Sequence, residues 1–357
     1  MTELGEIAEL KYEPLISDKI TKKLKPKIQQ LAEKLTEASM NRRYIMLRFH
    51  GDADGISGAL ALSEVLKCYA YQQNAAVYSV RDAIRDLSNL TNEDNPLAVF
   101  LDFGMNKESE EGLGLLKAAG VELVLIDHHP PSEKIYRIAD FVLTPWEFSN
   151  GEDVSRYVAG YLAAEVARAM GAVEAEKYAA IACAGDKSTV FETGEVDYKA
   201  ALVMDYLATH AAYGNNLRFY KSIIGKKELF DSIYMQAEEK IEEAATKSMR
   251  SMKELQTANG ILLYTVDVYD VVKKGEFPNR SKVTTRIFDK VKGNGAVVVL
   301  GTGEKTIIIR INDAAAAKGI SAESIAEKIA VSMDDFVESG GGHIKAGALR
   351  IKEGFAN

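Results

Sequence analysis

From Tyr44 to Asp127, short uninterrupted apolar runs alternate with longer helix-favouring stretches. Few folds other than a helix-covered parallel sheet accommodate that pattern. YIMLRF (44–49) reads as a buried strand and ISGALALSEVLKCYAYQ (56–72) as a helix. AAVYSV (75–80), PLAVFLD (96–102) and VELVLID (121–127) follow as further strands. The expected fold class is therefore α/β, with helices on both faces of the sheet. In such sheets ligands bind beyond the carboxyl ends of the strands.

The rest of the chain arranges itself around this core. Ile20, Leu24, Ile28, Leu31 and Leu35 recur at three- and four-residue spacing, the stripe of an amphipathic helix. Pro26 interrupts it and predicts a kink or two shorter helices. Lys22 to Lys27 read as a solvated helix face. Residues 154–213 look helical throughout, and the charged segment 226–256 reads as one long exposed helix connecting two domains. A second α/β unit then runs through GILLYTVDVYDVV, GAVVVLG and TIIIRI to about Ile351. The expected organisation is an N-terminal helical extension (1–40), a catalytic domain (41–215), a helical linker (216–257) and a smaller substrate-binding α/β domain (258–357).

With 357 residues, 47% of them apolar, two domains can each bury a core. A net charge of −8 argues against a protein that coats nucleic acid non-specifically, but leaves room for a local basic channel and suits carboxylates gathered around cations. Cys68 and Cys183 are far apart and form no C-x-x-C, so neither a disulfide framework nor a zinc ribbon is expected. The acidic N-terminus has no apolar core of a secretory signal, and no apolar run approaches the ~20 residues that span a bilayer. The expectation is a soluble, cytoplasmic protein without a membrane partner.

Chemistry concentrates at the strand ends. The first strand runs into His50-Gly51-Asp52-Ala53-Asp54-Gly55, LAVFLDFG ends at Asp102, and ELVLIDHHP ends at Asp127-His128-His129. Asp186 follows in AGDKS. Charges are costly at the end of an apolar strand unless paired or metal-bound. Three such ends at one sheet edge would converge in space. Carboxylates mixed with imidazoles suit Mn²⁺, with Mg²⁺ as the competitor. Two ions ~3.5–4 Å apart can activate water and stabilise a leaving oxygen. Singly, each motif is ordinary, and an isolated Asp beside Gly is by default a helix cap.

In this order, HGDADG, LDFG, DHH and AGD resemble the four motifs of the DHH phosphoesterase family, and within it the RecJ-like nucleases. ESGGGHIKAGA (338–348) resembles the glycine-rich motif of the smaller DHH-associated domain. The match covers about residues 42–352. The resemblance implies that His50, Asp52 and Asp102 hold one divalent cation, and that Asp54, Asp102, His128 and Asp186 hold the other. Asp127 would fix a histidine tautomer, and His129 would contact the scissile phosphate. Gly340, Gly341 and Gly342 let backbone N–H groups approach an anion, His343 adds a donor and Lys345 a charge. Arg310, ending TIIIR, is a candidate phosphate or base contact.

Exonuclease action on a single strand, in DNA repair or replication, is what RecJ resemblance implies; a cleft between two domains admits a single strand more readily than a duplex. The alternatives are a short-oligonucleotide hydrolase or nucleotide phosphatase, and a partner of a replication or repair helicase or of a GINS-type assembly. For the last of these, the N-terminal amphipathic helix is the natural docking element. His210 and the tyrosines at 69, 71 and 78 read as structural, and Asn279, Arg280 and Lys282 as loop residues as readily as a strand path.

Overall fold

The structure, a computed structural model, describes residues 12–210, 217–256, 260–273, 275–293, 295–333, 335–342 and 344–352. The chain divides into two compact units, Met1–Phe230 and Asp231–Asn357.

In the first unit, α1 (Lys19–Met40) precedes β1 (Ile45–His50), α2 (Ala53–Val65), β2 (Tyr69–Gln73) and α3 (Val80–Leu90). There follow β3 (Leu97–Leu101), α4 (Glu110–Ala118), β4 (Glu122–Ile126), the short α5 (Ile135–Ile138) and β5 (Phe141–Leu143). Helices α6 (Ala159–Ala169), α7 (Ala175–Gly185), α8 (Glu195–His210) and α9 (Leu217–Ile224) complete it. The five strands pair in parallel in the order β2-β1-β3-β4-β5. Met46, Ala98, Phe100, Leu123 and Leu125 face a core shared with Tyr78, Ala83, Leu113 and Leu116 of the α3–α4 side. The other face carries α2 and α6, which pack on each other and on β1 and β3. The parallel sheet with helices on both faces is as expected, and it places the carboxyl ends of β1, β3 and β4 side by side.

Three local expectations are corrected. The helix from Ile56 ends at Val65 rather than at 72, and Tyr69–Gln73 is a strand, because Leu66 already leaves helical geometry (φ −118°, ψ 120°). The segment 75–80 is not a strand: Tyr78 is fully buried, but Ser79 caps α3 and turns the chain. Helix α1 runs unbroken through Pro26. Its start is fixed by Asp18, whose side chain accepts the N–H groups of Ile20 and Thr21 while the Thr21 hydroxyl oxygen accepts Asp18 N–H.

The apolar stripe of α1 is buried within its own unit, with Leu24, Leu31 and Leu35 wholly inaccessible and the helix packed on α6 and β5. That stripe is therefore not available to a protein partner. Tyr12, Leu15 and Tyr161 all donate to the buried Glu165 carboxylate, which ties the segment before α1 to α6.

Helix α10 (Lys227–Ser248) carries the chain into the second unit. There β6 (Lys253–Gln256), where a continuous helix was expected, pairs antiparallel with β7 (Ile261–Asp267). Helix α11 (Arg280–Val291) crosses over to β8 (Ala296–Gly303), parallel to β7, and β9 (Thr306–Ile311), α12 (Asp313–Ala316), α13 (Ala322–Ser332), β10 (Val337–Gly342) and β11 (Ala346–Ile351) follow. The sheet order is β10-β11-β9-β8-β7-β6. Alternation along β8 sends Val297 and Val299 to a core with α10 and α11, and Ala296 and Val298 to one with α12 and α13. Among the described residues, no helix is long and apolar enough to cross a membrane.

Candidate metal centre

The carboxyl ends of β1, β3 and β4 deliver the predicted side chains to one place. Asp52 caps α2, its Oδ1 accepting Gly55 N–H at 3.0 Å. Gly55 allows this tight entry, since a Cβ there would lie 2.4 Å from the His50 carbonyl oxygen. Asp54, in the first turn of α2 and fully buried, accepts Ala159 N–H at 2.9 Å and Gly160 N–H at 2.8 Å. These are first-turn amides of α6, where a negative charge is favoured by orphan donors and the helix dipole. Gly160 is required for that contact: a Cβ would meet the Asp54 backbone oxygen at 2.5 Å and its Oδ1 at 2.7 Å.

Asp102 follows β3 with φ +66°, a left-handed conformation that few non-glycine residues adopt. Lys187, beside the Asp186 that caps the end of α7, is left-handed too, at φ +54°. Strained backbone of this kind persists where the surroundings over-determine it, often at functional sites.

Three groups of donors result; one of them, Asp102–Asp127–His128–His129, shares Asp102 and His128 with the other two. His50 Nδ1 lies 2.7 Å from Asp52 Oδ2 and 3.4 Å from Asp102 Oδ2. On the other side of Asp102, His128 Nε2 lies 3.6 Å from Asp102 Oδ1, 3.5 Å from Asp186 Oδ2 and 3.9 Å from Asp54 Oδ2. The sets His50–Asp52–Asp102 and Asp54–His128–Asp186 each bring their donor atoms within 4.8 Å of one another. His128 Nδ1 donates to the Ser155 carbonyl oxygen, so Nε2 presents a lone pair to the carboxylates. Trp146 Nε1 donates to the His128 carbonyl at 2.7 Å and holds the backbone behind it.

Asp127 takes a different place. Its Oδ1 accepts from His129 Nδ1 at 2.8 Å and from His129 N–H at 3.0 Å, so the histidine it orients is His129. The His129 side chain is half-exposed.

The electrostatics fit a cation. Burial, and then the neighbouring carboxylates, push Asp54 and Asp102 well above the ordinary carboxylate range. Asp186, more exposed than these two, is also raised, by desolvation among the cluster's groups against the pull of His128. Burial alone would lower His50, but Asp52 beside it reverses that and lifts it to about 9. His129, whose Asp127-facing edge is desolvated although its side chain is half-exposed, is nonetheless lifted to about 9 by Asp127. Crowded carboxylates that cannot all ionise unaided are what a divalent ion would neutralise. Two buried atoms of the cluster, His50 Nδ1 and Asp127 Oδ2, have no hydrogen-bond partner of suitable geometry among the described residues. Acidic oxygens with imidazole nitrogen, and no thiolate, suit Mn²⁺ or Mg²⁺.

The substrate-contact candidates belong to the second unit. Arg310 on β9 donates from Nε to Thr285 Oγ1 (3.0 Å), from Nη1 to the Ile309 carbonyl (2.9 Å) and from Nη2 to Ser281 Oγ (2.6 Å). Every acceptor is neutral, and burial holds its pKa below the ordinary value. Gly340, Gly341 and Gly342 form part of edge strand β10, opposite Leu349, Ala348 and Gly347. His343 lies outside the described residues. Ser155, Gly160 and Trp146 gave no sequence signal, because each acts through a backbone atom, a missing side chain or a distant contact. Asn279 caps α11 rather than lining a loop, and Arg280 lies over the Tyr269 ring, 5.6 Å from its centroid.

A helix-covered parallel sheet with acidic and imidazole donors at three adjacent carboxyl ends is the arrangement of a DHH-type domain. Residues 42–185 match the DHH family, N-terminal domain, and the chain shares its fold with RecJ structures. An uncharacterized protein of Methanocaldococcus jannaschii is 25% identical over an alignment 414 positions long, gaps included, covering 95% of this chain; the chain spans about half (53%) of that relative's length. Among solved structures, the DHH domain of a member of a ribosomal-protein family superposes with a TM-score of 0.83 at 27% identity, covering 96% of this chain and 90% of that one. RecJ from Thermus thermophilus in complex with Mn²⁺ gives 0.61 at 16% identity, over 91% of this chain and 52% of RecJ. An exonuclease RecJ bound to manganese gives 0.54 at 16%, over 92% and 91%.

Proposed function

We propose that this chain hydrolyses phosphodiesters with two divalent cations, Mn²⁺ by preference, and acts as an exonuclease on single-stranded nucleic acid. The observation that carries the reading is the shared position of Asp102 between the His50–Asp52 group and the His128–Asp54–Asp186 group. His50, Asp52 and Asp102 would hold one ion; Asp54, Asp102, His128 and Asp186 would hold the other. When bound, the ions supply Lewis acidity toward water and the phosphoryl group. His129, oriented by Asp127 and protonated near neutral pH, donates toward a non-bridging phosphate oxygen. Asp127 keeps that imidazolium in place and offsets its charge.

In the second unit, Arg310 offers a guanidinium without a carboxylate partner among its hydrogen bonds, suited to a phosphate of the strand. The Gly340–Gly342 backbone, on an edge strand and without Cβ atoms, offers N–H groups to the same class of ligand. The similar RecJ structures, a Mn²⁺ complex from Thermus thermophilus and an exonuclease bound to manganese, support the same direction. A role in DNA repair or replication beside a helicase or GINS-type partner belongs to this reading; such a partner would dock elsewhere than on the buried stripe of α1.

The test is Mn²⁺-dependent degradation of long single strands of DNA and RNA labelled at either end, beside a duplex, a dinucleotide and a nucleotide monophosphate. RNA is included because one matched DHH domain belongs to a ribosomal-protein family member. Progressive shortening of a long strand, absent in Asp102→Asn, is the expected result. Cleavage confined to the short substrates would replace it with an oligonucleotide hydrolase or nucleotide phosphatase. No turnover on any substrate would leave a partner-binding role.

A further inference from the structure

The loop that carries three of the candidate ligands, from His50 to Asp54, is held by its backbone. Gly51 N–H donates to the Gln73 carbonyl on β2 at 2.7 Å, and Ile56 N–H to the Asp52 carbonyl at 3.0 Å. Gly55 N–H is taken by Asp52 Oδ1. Ala53, which lies between the two acidic ligands, is buried, and a buried N–H needs an acceptor. The acceptor comes from far along the chain: Asp205 Oδ1, on α8, accepts Ala53 N–H at 2.8 Å. Among the described residues, Asp205 stands in none of the donor groups that could surround an ion.

We propose that Asp205 is a positioning residue of the metal centre. By fixing the Ala53 amide it sets the backbone from which Asp52 reaches toward His50, and Asp54 toward His128, on opposite sides of Asp102. Groups that hold metal ligands in orientation typically change metal affinity by about 10–100-fold when removed. The role requires an acceptor oxygen at one position, not a charge, and this separates it from a general electrostatic contribution. The inference rests on the reading of the cluster as a cation site, but not on the substrate.

The experiment is Mn²⁺ titration of the full chain, followed by calorimetry and by the loss of free-ion paramagnetic resonance, with no substrate present. Circular dichroism and metal-free thermal denaturation of each variant accompany it. Asp205→Ala and Asp205→Glu, which remove or displace the acceptor, are expected to weaken Mn²⁺ binding about tenfold or more. Asp205→Asn, which keeps Oδ1 and drops the charge, is expected to bind within about threefold of the parent. Should Asp205→Ala not fold, the Glu and Asn pair decides alone. Parent-like binding by Asp205→Glu, or Asp205→Asn weakened as far as Asp205→Glu, would each overturn the proposal. Degradation assays on the same proteins distinguish this failure from failure of the exonuclease reading, since a strand-cleaving enzyme with an indifferent Asp205 loses only this inference. An unaltered chain that takes up no Mn²⁺ would remove the cation site and this role together.

Discussion

His128 turns its Nδ1 to the carbonyl oxygen of Ser155, and this contact aims its Nε2 at the carboxylates of Asp54, Asp102 and Asp186. A histidine held in one tautomer by a backbone acceptor is a prepared ligand, with its lone pair already directed. His128→Ala should therefore weaken Mn²⁺ binding by about a hundredfold or more and remove turnover, with little change in the far-ultraviolet spectrum. Retained tight binding would show that the imidazole merely packs against the Ser155 segment.

Asp102 permits a sharper separation of stability from function. Its left-handed φ is tolerated by Asp and Asn but costs most L residues ~1–2 kcal/mol. Asp102→Asn keeps the backbone and removes one of several crowded, buried carboxylates whose ionisation is opposed by its neighbours. The metal-free variant should melt at or above the parent's temperature while gaining nothing from Mn²⁺, which should stabilise the parent by mass action. Asp102→Ala should melt lower than Asp102→Asn. Denaturation with and without chelator checks both; equal Mn²⁺ stabilisation of parent and Asn variant would exclude Asp102 from the ligands.

These contrasts show where the sequence was readable. Strand ends were legible because an apolar run that stops at Asp102, or at Asp127-His128, leaves charge where a bare sheet would not tolerate it. The order of the motifs carried the family resemblance as well. The Tyr69–Gln73 strand was not legible, since YAYQQ continues the helical spacing of the preceding apolar residues and only tertiary pairing with β1 decides it. Nor were Gly160 and Asp205, which touch the metal loop across more than a hundred residues of chain. An isolated Asp within a helix and a single Gly carry no local pattern.

Asp18 offers a test of the fold away from the site. Its carboxylate accepts the N–H groups of Ile20 (2.9 Å) and Thr21 (2.8 Å), and the Tyr157 hydroxyl at 2.6 Å, which locks α1 onto the loop before α6. Burial works against ionisation, but the Thr21 amide, the Tyr157 hydroxyl and the Thr21 hydroxyl outweigh it and hold the group below its ordinary 3.8. A carboxylate depressed on folding stabilises the protein above its unfolded value, and that contribution is lost as pH falls from 3.8 through the lower folded value. Asp18→Ala should cost about 1 kcal/mol at neutral pH, and the gap to the parent should narrow below the unfolded value. Urea melts across that range decide it; a gap that widens in acid would contradict the assignment.

Arg310 carries the last prediction. Its guanidinium is fixed by Ser281 and Thr285, one helical turn apart on α11, and by its neighbour's carbonyl. Neutral oxygens direct the group without cancelling its charge, and one N–H on each Nη is left over for a phosphate. A charge-assisted hydrogen bond contributes ~1.5–3 kcal/mol, so Arg310→Ala should raise KM for a long single strand by about ten- to a hundredfold. Arg310→Lys should recover only part of this, because an ammonium keeps the charge but not the planar fork. Mn²⁺ affinity should be unchanged in both, since no donor to the cluster is altered. A variant with parent-like KM and a reduced melting temperature would reassign Arg310 to holding α11 against the sheet, and substrate recognition would have to be sought on other residues.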